Sequence, residues 1–295
     1  MYKDNNTCKY LIITAAKNEE NYIENTLKSV CQQTVLPIQW IIVNDGSTDR
    51  TSEIVRKYTK NYSWIKLINN DNYNEKRAGG AKVVRAFYVG YDSLSSHDYD
   101  FIVKLDADLT LPQNYFEEVA KEFRNNSKVG LCGGYCSIEK NGKLVKESSA
   151  SYHLRGPIKA YRKECFDQIG GLKPMLNWDG IDEMTAMFKG WDVKILPLQV
   201  IHHRPTSTEI NRGIKSLVFS GRVYYKNGHD LLLALLKAFH ISVRKKPLVL
   251  SGLIFYFNFI YAMIKNEPKN VDKQLAKFIR NFQYNRILRQ LHLIK

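Results

Sequence analysis

Two aspartates, Asp106 and Asp108, follow directly on the apolar run Phe101–Leu105. In an extended chain alternate residues point to the same side, so the two carboxylates can converge on one cation. Mg²⁺ and Mn²⁺ are held by one or two carboxylates when they also bind the oxygens of a diphosphate. The pair therefore predicts a divalent-cation site that would stabilise charge on a departing phosphate group. Solvated turn residues are the alternative interpretation.

A second pair of aspartates has the same spacing but a different position. Asp98 and Asp100 precede the apolar run that Asp106 and Asp108 follow. In an open α/β sheet ligands bind beyond the carboxyl ends of the strands. We therefore expect Asp98 and Asp100 at the opposite edge of the sheet, away from a ligand.

Asp45 ends another apolar run, Gln39–Asn44. A carboxylate at this position can accept a hydrogen bond from the N–H of a nucleotide base. Gly46 permits a tight turn, and Ser47 or Thr48 can cap the helix that follows. A plain Asp-Gly turn with a cap is the alternative.

Small and polar residues also lie at the end of the first apolar run, Tyr10–Ala16, and directly after it. Thr14, Ala15, Asn18 and Glu19 are suited to border a nucleotide, and we predict that they do so. The alternative for Glu19 is an acid in the first turn of a helix, where it interacts with the helix dipole.

Short apolar runs alternate with segments of helical periodicity through the first 110 residues. The periodic segments predict three helices. The first ends near Gln33, and the other two span Thr48–Tyr58 and Gly79–Leu94. Strands are predicted at Tyr10–Ala16, Gln39–Asn44, Ile65–Ile68 and Phe101–Leu105. This alternation is typical of an α/β fold with a Rossmann-like, mostly parallel central sheet flanked by helices.

The next hundred residues continue the mixed pattern. Asn141-Gly142 between two strand-like runs predicts a hairpin. Gly170 and Gly190 are placed to end two helices. The predicted elements are strands at Val129–Ile138, Lys143–Lys146 and Val193–Leu196 and helices at Lys163–Ile169 and Gly180–Lys189.

The charge of the chain is concentrated near its end. Residues 205–295 contain 16 Lys and Arg and four acids, so they carry +12 of the net +15. A basic segment favours an anionic partner, either nucleic acid or a membrane leaflet. No nucleic-acid-binding motif is present, and the uncharged run Pro247–Ile264 favours an interfacial helix at a membrane. A spanning helix and a plain core helix are the alternatives.

Five cysteines without a C-x-x-C pair, and a polar start at Met1–Lys9, are typical of a reduced, cytoplasmic protein. Together with the basic segment they predict a peripheral protein at the inner face of the cell membrane.

Five motifs in this order resemble the family 2 glycosyltransferases, which are inverting enzymes of GT-A fold. The motifs are ITAAKNEENYIENTLKSVCQQT, WIIVNDGSTDRTSEIV, NEKRAGGAKVVRAF, VKLDADLTLP and IGGLKPMLNWDGIDEMTAMFKGW. The resemblance covers Tyr10 to Thr206. It implies a catalytic domain at 1–206, with a nucleotide-binding half at 1–110 and an acceptor half at 111–206. Residues 207–295 then form a basic, apolar, helical extension.

The resemblance implies roles for several residues. Asp45 would contact the base of a nucleotide-sugar donor, and Arg77 the diphosphate or sugar. Asp106 and Asp108 would hold Mn²⁺ or Mg²⁺. Lys104, which points to the same side as Asp106, would help to neutralise phosphate; strand-end solvation is the alternative for both cations.

His202 corresponds to a position that in related enzymes is a third metal ligand or a phosphate contact. Imidazole suits Mn²⁺ better than Mg²⁺. The neighbouring His203 points the other way in an extended chain, so at most one of them serves, and a structural role is the alternative for either.

Inversion requires a base that deprotonates the acceptor hydroxyl. The family carries Glu-Asp about eleven residues before a Gly followed by an aromatic residue. Asp179 lies eleven residues before Gly190-Trp191, but Trp178 replaces the Glu. We therefore expect Asp179 to be the base, with Asp182 as its rival; a helix cap is the alternative for Asp179.

The function expected from these observations is transfer of a sugar from a nucleotide diphosphate to an acceptor hydroxyl. A UDP-sugar is favoured because uracil is common in the family. The acceptor would be a saccharide or a lipid-linked sugar in the assembly of a surface polysaccharide or glycolipid. The alternatives are an inactive glycan-binding relative and a sugar-1-phosphate nucleotidylyltransferase, although the latter would need a Gly-rich basic loop where this chain has Ala15 to Glu20.

Overall fold

The computed structural model describes residues 8–70, 80–147, 150, 152–204 and 214–293. The chain divides into two compact units, Met1–Pro205 and Thr206–Lys295.

One sheet forms the centre of the first unit. Among its described residues nine strands pair in the order β3-β2-β1-β4-β8-β6-β9-β5, with β7 paired to β6. The strands are β1 Tyr10–Ala16, β2 Gln39–Asn44, β3 Ile65–Asn69, β4 Phe101–Leu105, β5 Leu109–Thr110, β6 Val129–Lys140, β7 Lys143–Lys146, β8 Ile158–Arg162 and β9 Asp192–His202.

The strand directions bring distant segments together. Strands β1, β2, β3 and β4 are parallel. Strand β8 runs antiparallel to β4 and β6, while β9 is parallel to β6. As a result, the carboxyl ends of β1, β2, β4 and β9 and the amino end of β8 meet at one edge of the sheet, called the carboxyl edge from here on.

Six described helices accompany the sheet: α1 Ile23–Cys31, α2 Thr51–Asn61, α3 Gly80–Asp92, α4 Tyr115–Asn125, α5 Lys163–Ile169 and α6 Trp178–Phe188. They bury its two faces in two separate apolar clusters. Tyr10 and Trp40 belong to one cluster, together with apolar side chains of α1 and α4. Leu11 and Ile41, the next residues along their strands, belong to the other, with side chains of α3 and α5. This alternation follows from the two-residue period of a strand, and it confirms the predicted α/β class.

Two local predictions from glycine positions are confirmed. Asn141 and Gly142 connect β6 and β7 with φ angles of 52° and 73°, as a tight hairpin turn requires. Gly170, at φ 72°, ends α5 in the left-handed conformation.

Elements that depend on long-range pairing differ from the predictions. Strand β8 was not predicted, and β9 continues six residues past the predicted end at Leu196. Pro197 lies within β9; its missing N–H is accommodated by a register shift between Gly133 and Tyr135 of β6. The backbone of Gly134 packs closely against Leu198. A Cβ added at position 134 would lie 2.3 Å from the Leu198 carbonyl oxygen, so this position requires glycine.

The prediction of the α2 cap was wrong. The helix begins at Thr51, and neither Ser47 nor Thr48 caps it. Asp49 takes this role in part, because its Oδ1 accepts hydrogen bonds from the backbone N–H of Thr51, at 3.0 Å, and from the Thr51 hydroxyl. Ser47 and Thr48 instead bond to Asn18 across the turn.

The second unit is helical in its described residues, 214–293. Its helices are α7 Ile214–Lys226, α8 Leu231–Arg244, α9 Leu250–Ile264 and α10 Lys273–Gln290. Helices α7, α8 and α9 share a small apolar core that includes Leu217, Ala238, Phe255 and Phe259. Helix α9 begins at Leu250, three residues after the start of the uncharged run.

Helices α8 and α9, joined by residues 245–249, form a hairpin with a large exposed apolar surface. The exposed side chains repeat at helical spacing; they are Leu231, Leu235, Phe239 and Val243 on α8 and Leu253, Phe257, Tyr261 and Ile264 on α9. Residues 231–266 contain five Lys and Arg and no acid. In the part of the chain that the structure describes, no helix is long and apolar enough to cross a membrane.

Candidate active site

Most of the side chains predicted to do chemistry lie at the carboxyl edge. Asp45 follows β2, Asp106 and Asp108 follow β4, and His202 ends β9. Asp98 and Asp100 lie at the other edge, where they contact Lys9 just before β1. The different positions expected for the two aspartate pairs are thus confirmed.

Asp45 is buried and bound by two neighbours. Its Oδ1 accepts a hydrogen bond from the Asn70 side chain at 2.8 Å, and its Oδ2 lies 3.2 Å from Nζ of Lys82. These contacts fix the carboxylate after β2. Arg77, predicted to contact the donor, lies outside the described residues.

The residues at the end of β1 and directly after it differ in what their side chains do. Thr14 is completely buried, and its hydroxyl accepts a hydrogen bond from the Trp40 indole at 2.9 Å, so this side chain serves the core. Ala15 is partly exposed beside it. Asn18, at φ 56°, accepts a hydrogen bond from the backbone N–H of Thr48 at 2.8 Å and ties the β1 loop to the β2 loop.

Lys104 and Asp106 form an ion pair at the end of β4. Lys104 is buried, also donates to the carbonyl oxygen of Gly156 at 2.7 Å, and lies 5.2 Å from the centre of the Trp178 ring. Asp106 donates its backbone N–H to the carbonyl of Pro157 at 2.8 Å. These bonds attach the Asp106 loop to the residues that lead into β8.

His202 lies between two carboxylates. Its Nδ1 is 2.8 Å from Oε1 of Glu147, and its Nε2 is 3.5 Å from Oδ2 of Asp108. Burial opposes a charge on the ring, but hydrogen bonds to Asp108 and Glu147 raise the pKa of His202 to about 9. Burial would likewise raise the pKa of Asp108, yet the hydrogen bond and charge of His202 and the charge of Arg204 hold it below its usual value.

Arg204 extends this arrangement into a row of alternating charges. Its guanidinium contacts Asp108 at 3.2 Å and also binds Oε1 of Glu19. At the other end of the row, Arg155 donates to Glu147 at 2.7 Å. Burial, opposed by Arg204, raises the pKa of Glu19 to about 7, and Oε2 of Glu19 is a buried oxygen without a hydrogen-bond partner.

The side chains described around Asp108 are of types that bind divalent cations, but they are not grouped as a metal site in this structure. A histidine that gives Nδ1–H to a carboxylate presents Nε2 to a metal, and His202 is held by Glu147 in this way. Asp106 and Asp108 add oxygen ligands of the type that Mg²⁺ and Mn²⁺ prefer. Within the described residues, no three His, Cys, Asp or Glu side chains are grouped so that they could hold a metal ion.

Asp179 faces the same edge from the first turn of α6. The helix is preceded by Asn177, so Asp179 is not its cap. Its carboxylate is 27% exposed, and Oδ2 lies 3.8 Å from Nε2 of His153. A Cβ added to Gly156 would lie 2.9 Å from this Oδ2, so the Gly156 backbone packs directly against the carboxylate.

Asp182, the rival candidate, is bound inside the protein. Its side chain is 3% exposed, accepts hydrogen bonds from Lys159 at 2.9 and 3.1 Å, and accepts one from Tyr161 at 2.5 Å. Burial, together with the charge of Glu183, raises the pKa of Asp182 to about 6 against the opposing charge of Lys159. This carboxylate anchors α6 to β8.

Several residues of the edge were missed by sequence reasoning: Glu147, His153, Arg155, Lys159, Glu183 and Arg204. Most of them are bonded to a partner far away in the chain; Arg204 and Glu19, for example, are 185 residues apart. Arg204 directly follows the predicted His202-His203 pair, which is the one signal that could have drawn attention to it. His203 bonds Thr110 at 2.7 Å and stacks on Tyr22, so it faces away from Asp108.

The family model for glycosyl transferase family 2 matches residues 11–178, more than half of the chain. The chain belongs to this family. The matched range contains the carboxylates after β2 and β4, and it ends at Trp178, one residue before Asp179.

Two curated relatives are similar over about half of this chain. The putative glycosyltransferase EpsH of Bacillus subtilis is 27% identical over 158 residues, which are 53% of this chain and 42% of EpsH. A poly-beta-1,6-N-acetyl-D-glucosamine synthase of Staphylococcus aureus is 26% identical over 133 residues, 45% of this chain and 30% of that protein. The matches thus span less than half the length of these relatives.

Solved structures show the same GT-A fold. Residues 1–349 of S. aureus TarS in complex with UDP-GlcNAc superpose with a TM-score of 0.56 at 17% identity, covering 87% of this chain and 73% of that one. A mannosyltransferase of Pyrobaculum calidifontis, PcManGT, in complex with GDP-Man and Mn²⁺ gives a TM-score of 0.52 at 14% identity, covering 92% and 79%. The α/β class and helical C-terminal region predicted from the sequence are confirmed.

Proposed function

We propose that this chain is an inverting glycosyltransferase that moves a sugar from a nucleotide diphosphate, with UDP favoured, to an acceptor hydroxyl. The observation that carries the proposal is the position of Gly156. Its carbonyl oxygen binds Lys104, the partner of Asp106, and its Cα packs against Asp179. Gly156 therefore lies between the Lys104–Asp106 pair, expected at the donor diphosphate, and Asp179, expected at the acceptor.

In the proposed complex the donor lies along the carboxyl edge. Asp45 contacts the base, as Asn70 and Lys82 already hold its carboxylate in place. Asn18 and Glu19 border the nucleotide from the β1 loop, beside Ala15. Lys104 faces the diphosphate or the sugar, and the donor contact expected of Arg77 stays a prediction. Thr14 does not contact the donor; its hydrogen bond to Trp40 holds the end of β1 in place in the core.

Asp106, Asp108 and His202 are the residues that would hold Mn²⁺ or Mg²⁺. When bound, a divalent cation supplies charge that stabilises the departing nucleoside diphosphate. His202 would lose its proton on binding, and Glu147 would keep the ring oriented through Nδ1. PcManGT, which has the same fold, is in complex with Mn²⁺.

Asp179 is the proposed general base. A carboxylate that is partly exposed at the edge can reach an acceptor hydroxyl and remove its proton while the oxygen attacks the anomeric carbon. Attack from the face opposite the diphosphate inverts the configuration. Asp182 is saturated by Lys159 and Tyr161, and it therefore serves to hold the helix that carries Asp179.

The acceptor and the location form part of the proposal. A saccharide or lipid-linked acceptor in surface polysaccharide or glycolipid assembly agrees with the similarity to a poly-beta-1,6-N-acetyl-D-glucosamine synthase. The basic, apolar α8–α9 hairpin supports a peripheral location at the inner, anionic face of the cell membrane.

The experiment is isothermal titration of the purified chain with UDP, GDP and dTDP, with Mn²⁺ and then with EDTA, followed by a transfer assay with the matching nucleotide sugar. Asp106→Asn and Asp108→Asn are the controls. Metal-dependent binding of one nucleotide, lost in both controls, and turnover that is lost in Asp179→Asn are the expected results. Binding without turnover would favour an inactive glycan-binding relative, and no binding to any nucleotide would refute the proposal.

A further inference from the structure

His153 lies between two carboxylates of helix α6. Its Nδ1 is 2.8 Å from Oε2 of Glu183, and its Nε2 is 3.8 Å from Oδ2 of Asp179. The side chain is 21% exposed. Of the described residues, His153 is the one basic side chain within 4 Å of the Asp179 carboxylate.

Glu183 determines which ring nitrogen carries the hydrogen. Its carboxylate is completely buried, and Oε1 already accepts from the backbone N–H of Leu154 at 2.9 Å and contacts Nζ of Lys159 at 2.8 Å. A carboxylate held by donors in this way acts as an acceptor, so Nδ1 of His153 donates to it. The lone pair of a neutral ring is then on Nε2, which faces Asp179.

We propose that His153 is a positioning residue that takes from Asp179 the proton of the acceptor hydroxyl. This inference rests on the proposed function. The order Glu183, His153, Asp179 places an imidazole between a buried carboxylate and the group that undergoes proton transfer, and such a buried carboxylate orients the ring and stabilises its protonated form.

The proton balance of one turnover is complete without a further reactant. The acceptor oxygen forms its bond to the anomeric carbon while the bond from that carbon to the diphosphate oxygen breaks, and the hydroxyl proton moves to Asp179. Asp179 then gives this proton to Nε2 of His153. The imidazolium releases it to water at its exposed side, which restores the carboxylate of Asp179 and the neutral ring.

The charges around the ring favour this transfer. The groups that face or adjoin His153 are Asp179, Asp182 and Glu183 on α6 and Lys159 on β8. The transfer leaves the net charge of this cluster unchanged, because Asp179 regains its negative charge as the ring becomes positive. The two opposite charges then lie 3.8 Å apart and attract each other.

The test is His153→Gln, since glutamine can still donate to Glu183 but has no nitrogen that accepts a proton. We expect kcat to fall about 10- to 100-fold, with KM for the donor within about twofold. Added imidazole should restore kcat in His153→Ala, where the truncated side chain leaves space for the ring, but not in Asp179→Asn. An unchanged kcat in His153→Gln, or a loss in His153→Ala that imidazole does not restore, would overturn the proposal.

A second measurement does not depend on turnover. In ¹⁵N-histidine-labelled protein, the signals of His153 are assigned as those missing from the His153→Gln spectrum. They should show a neutral ring with its hydrogen on Nδ1, and Asp179→Asn should shift the Nε2 signal. A hydrogen on Nε2 would overturn the inference. If the wild-type chain transfers no sugar but the spectrum is as expected, the proposed function fails while the arrangement of His153 stands.

Discussion

Arg204 and Asp108, 96 residues apart in the sequence, are in contact at the carboxyl edge: Nε and one terminal nitrogen of the guanidinium each lie 3.2 Å from Oδ2. The same guanidinium binds Glu19. Strands β1, β4 and β9 are therefore connected by one cation at the point where each strand ends.

Replacement of this cation should destabilise the fold. We expect Arg204→Gln to lower the free energy of unfolding by about 1 to 3 kcal/mol, because two buried carboxylates lose a charged hydrogen-bond donor. The matched control is Arg50→Gln, which removes an arginine that is 76% exposed and paired with Glu20. Arg50→Gln should lower the free energy of unfolding by less than about 0.5 kcal/mol. Equal effects in urea unfolding of the two variants would contradict the role given to Arg204.

A methyl group at position 156 should displace the proposed base. Gly156→Ala places Cβ 2.9 Å from Oδ2 of Asp179, and the carboxylate must move to relieve this contact. Because displacement by about 1 Å can cost roughly 100-fold in rate, kcat should fall by about that factor. Nucleotide affinity measured by titration should change little. A variant with wild-type kcat and an unchanged Tm would show that the position of Asp179 does not limit the reaction.

The two carboxylates of α6 should behave differently when each is changed to asparagine. Asp179→Asn should reduce turnover by a factor on the order of 100 or more while thermal unfolding is unchanged. Asp182→Asn should lower the free energy of unfolding by about 1 to 3 kcal/mol, because the buried Lys159 loses a charged partner. Near-normal turnover in Asp179→Asn together with loss in Asp182→Asn would reverse the assignment.

Acid should destabilise the second unit through His229. The ring stacks on Tyr224 with 3.6 Å between centroids, and burial lowers the pKa of His229 to about 4, assisted by the nearby charges of Lys237 and Arg280 and opposed by Asp230. Because the unfolded chain has the higher pKa, near 6.5, it binds more protons between pH 6.5 and 4, so this contribution to stability is lost as the pH falls through that range.

The measurement for His229 is the Tm of the full chain between pH 7 and 4. The free energy of unfolding of the wild type should fall by up to roughly 3 kcal/mol more over this range than that of His229→Gln, at about 1.4 kcal/mol per pKa unit. The Tm of the wild type should therefore fall more steeply. His97→Gln, which replaces an exposed histidine, is the control and should follow the wild type. Parallel curves for wild type and His229→Gln would disprove the effect.

The α8–α9 hairpin should bind anionic lipid. Phe239→Ser with Phe257→Ser removes two exposed rings, and Lys245→Gln with Lys246→Gln removes two charges from the connecting segment. Each double variant should reduce the fraction that sediments with phosphatidylglycerol vesicles, the lysine variant by about 10- to 30-fold in partition coefficient. High salt should weaken binding of the wild type.

Two control variants test whether the location of these side chains matters. Leu144→Ser with Val145→Ser removes exposed apolar side chains from β7, and Lys57→Gln with Lys60→Gln removes exposed charges from α2. Both should sediment like the wild type. If the hairpin variants instead abolish a dimer in light scattering and leave sedimentation unchanged, a second copy of the chain covers this surface.

Local sequence signals predicted the elements that depend on local forces. The bounds of β1, β2 and β4 are those expected from their apolar runs, and Asn141-Gly142 marks the hairpin turn where it occurs. Such signals succeed because side-chain periodicity and the φ angles of Asn and Gly act over a few residues. The boundary of α2 was predicted less well, since several polar residues in a row compete to bond the same backbone groups.

The sequence by itself determined which residues follow the parallel strands, and therefore that Asp45, Asp106 and Asp108 lie at one edge. Only the tertiary structure decided how they are paired. Lys159 bonds Asp182 across 23 residues and Arg204 bonds Glu19 across 185, distances over which residue spacing carries no information. The proposal of Asp179 rather than Asp182 as the base rests on the burial of Asp182 beside β8, a strand that forms because neighbouring strands supply its hydrogen bonds.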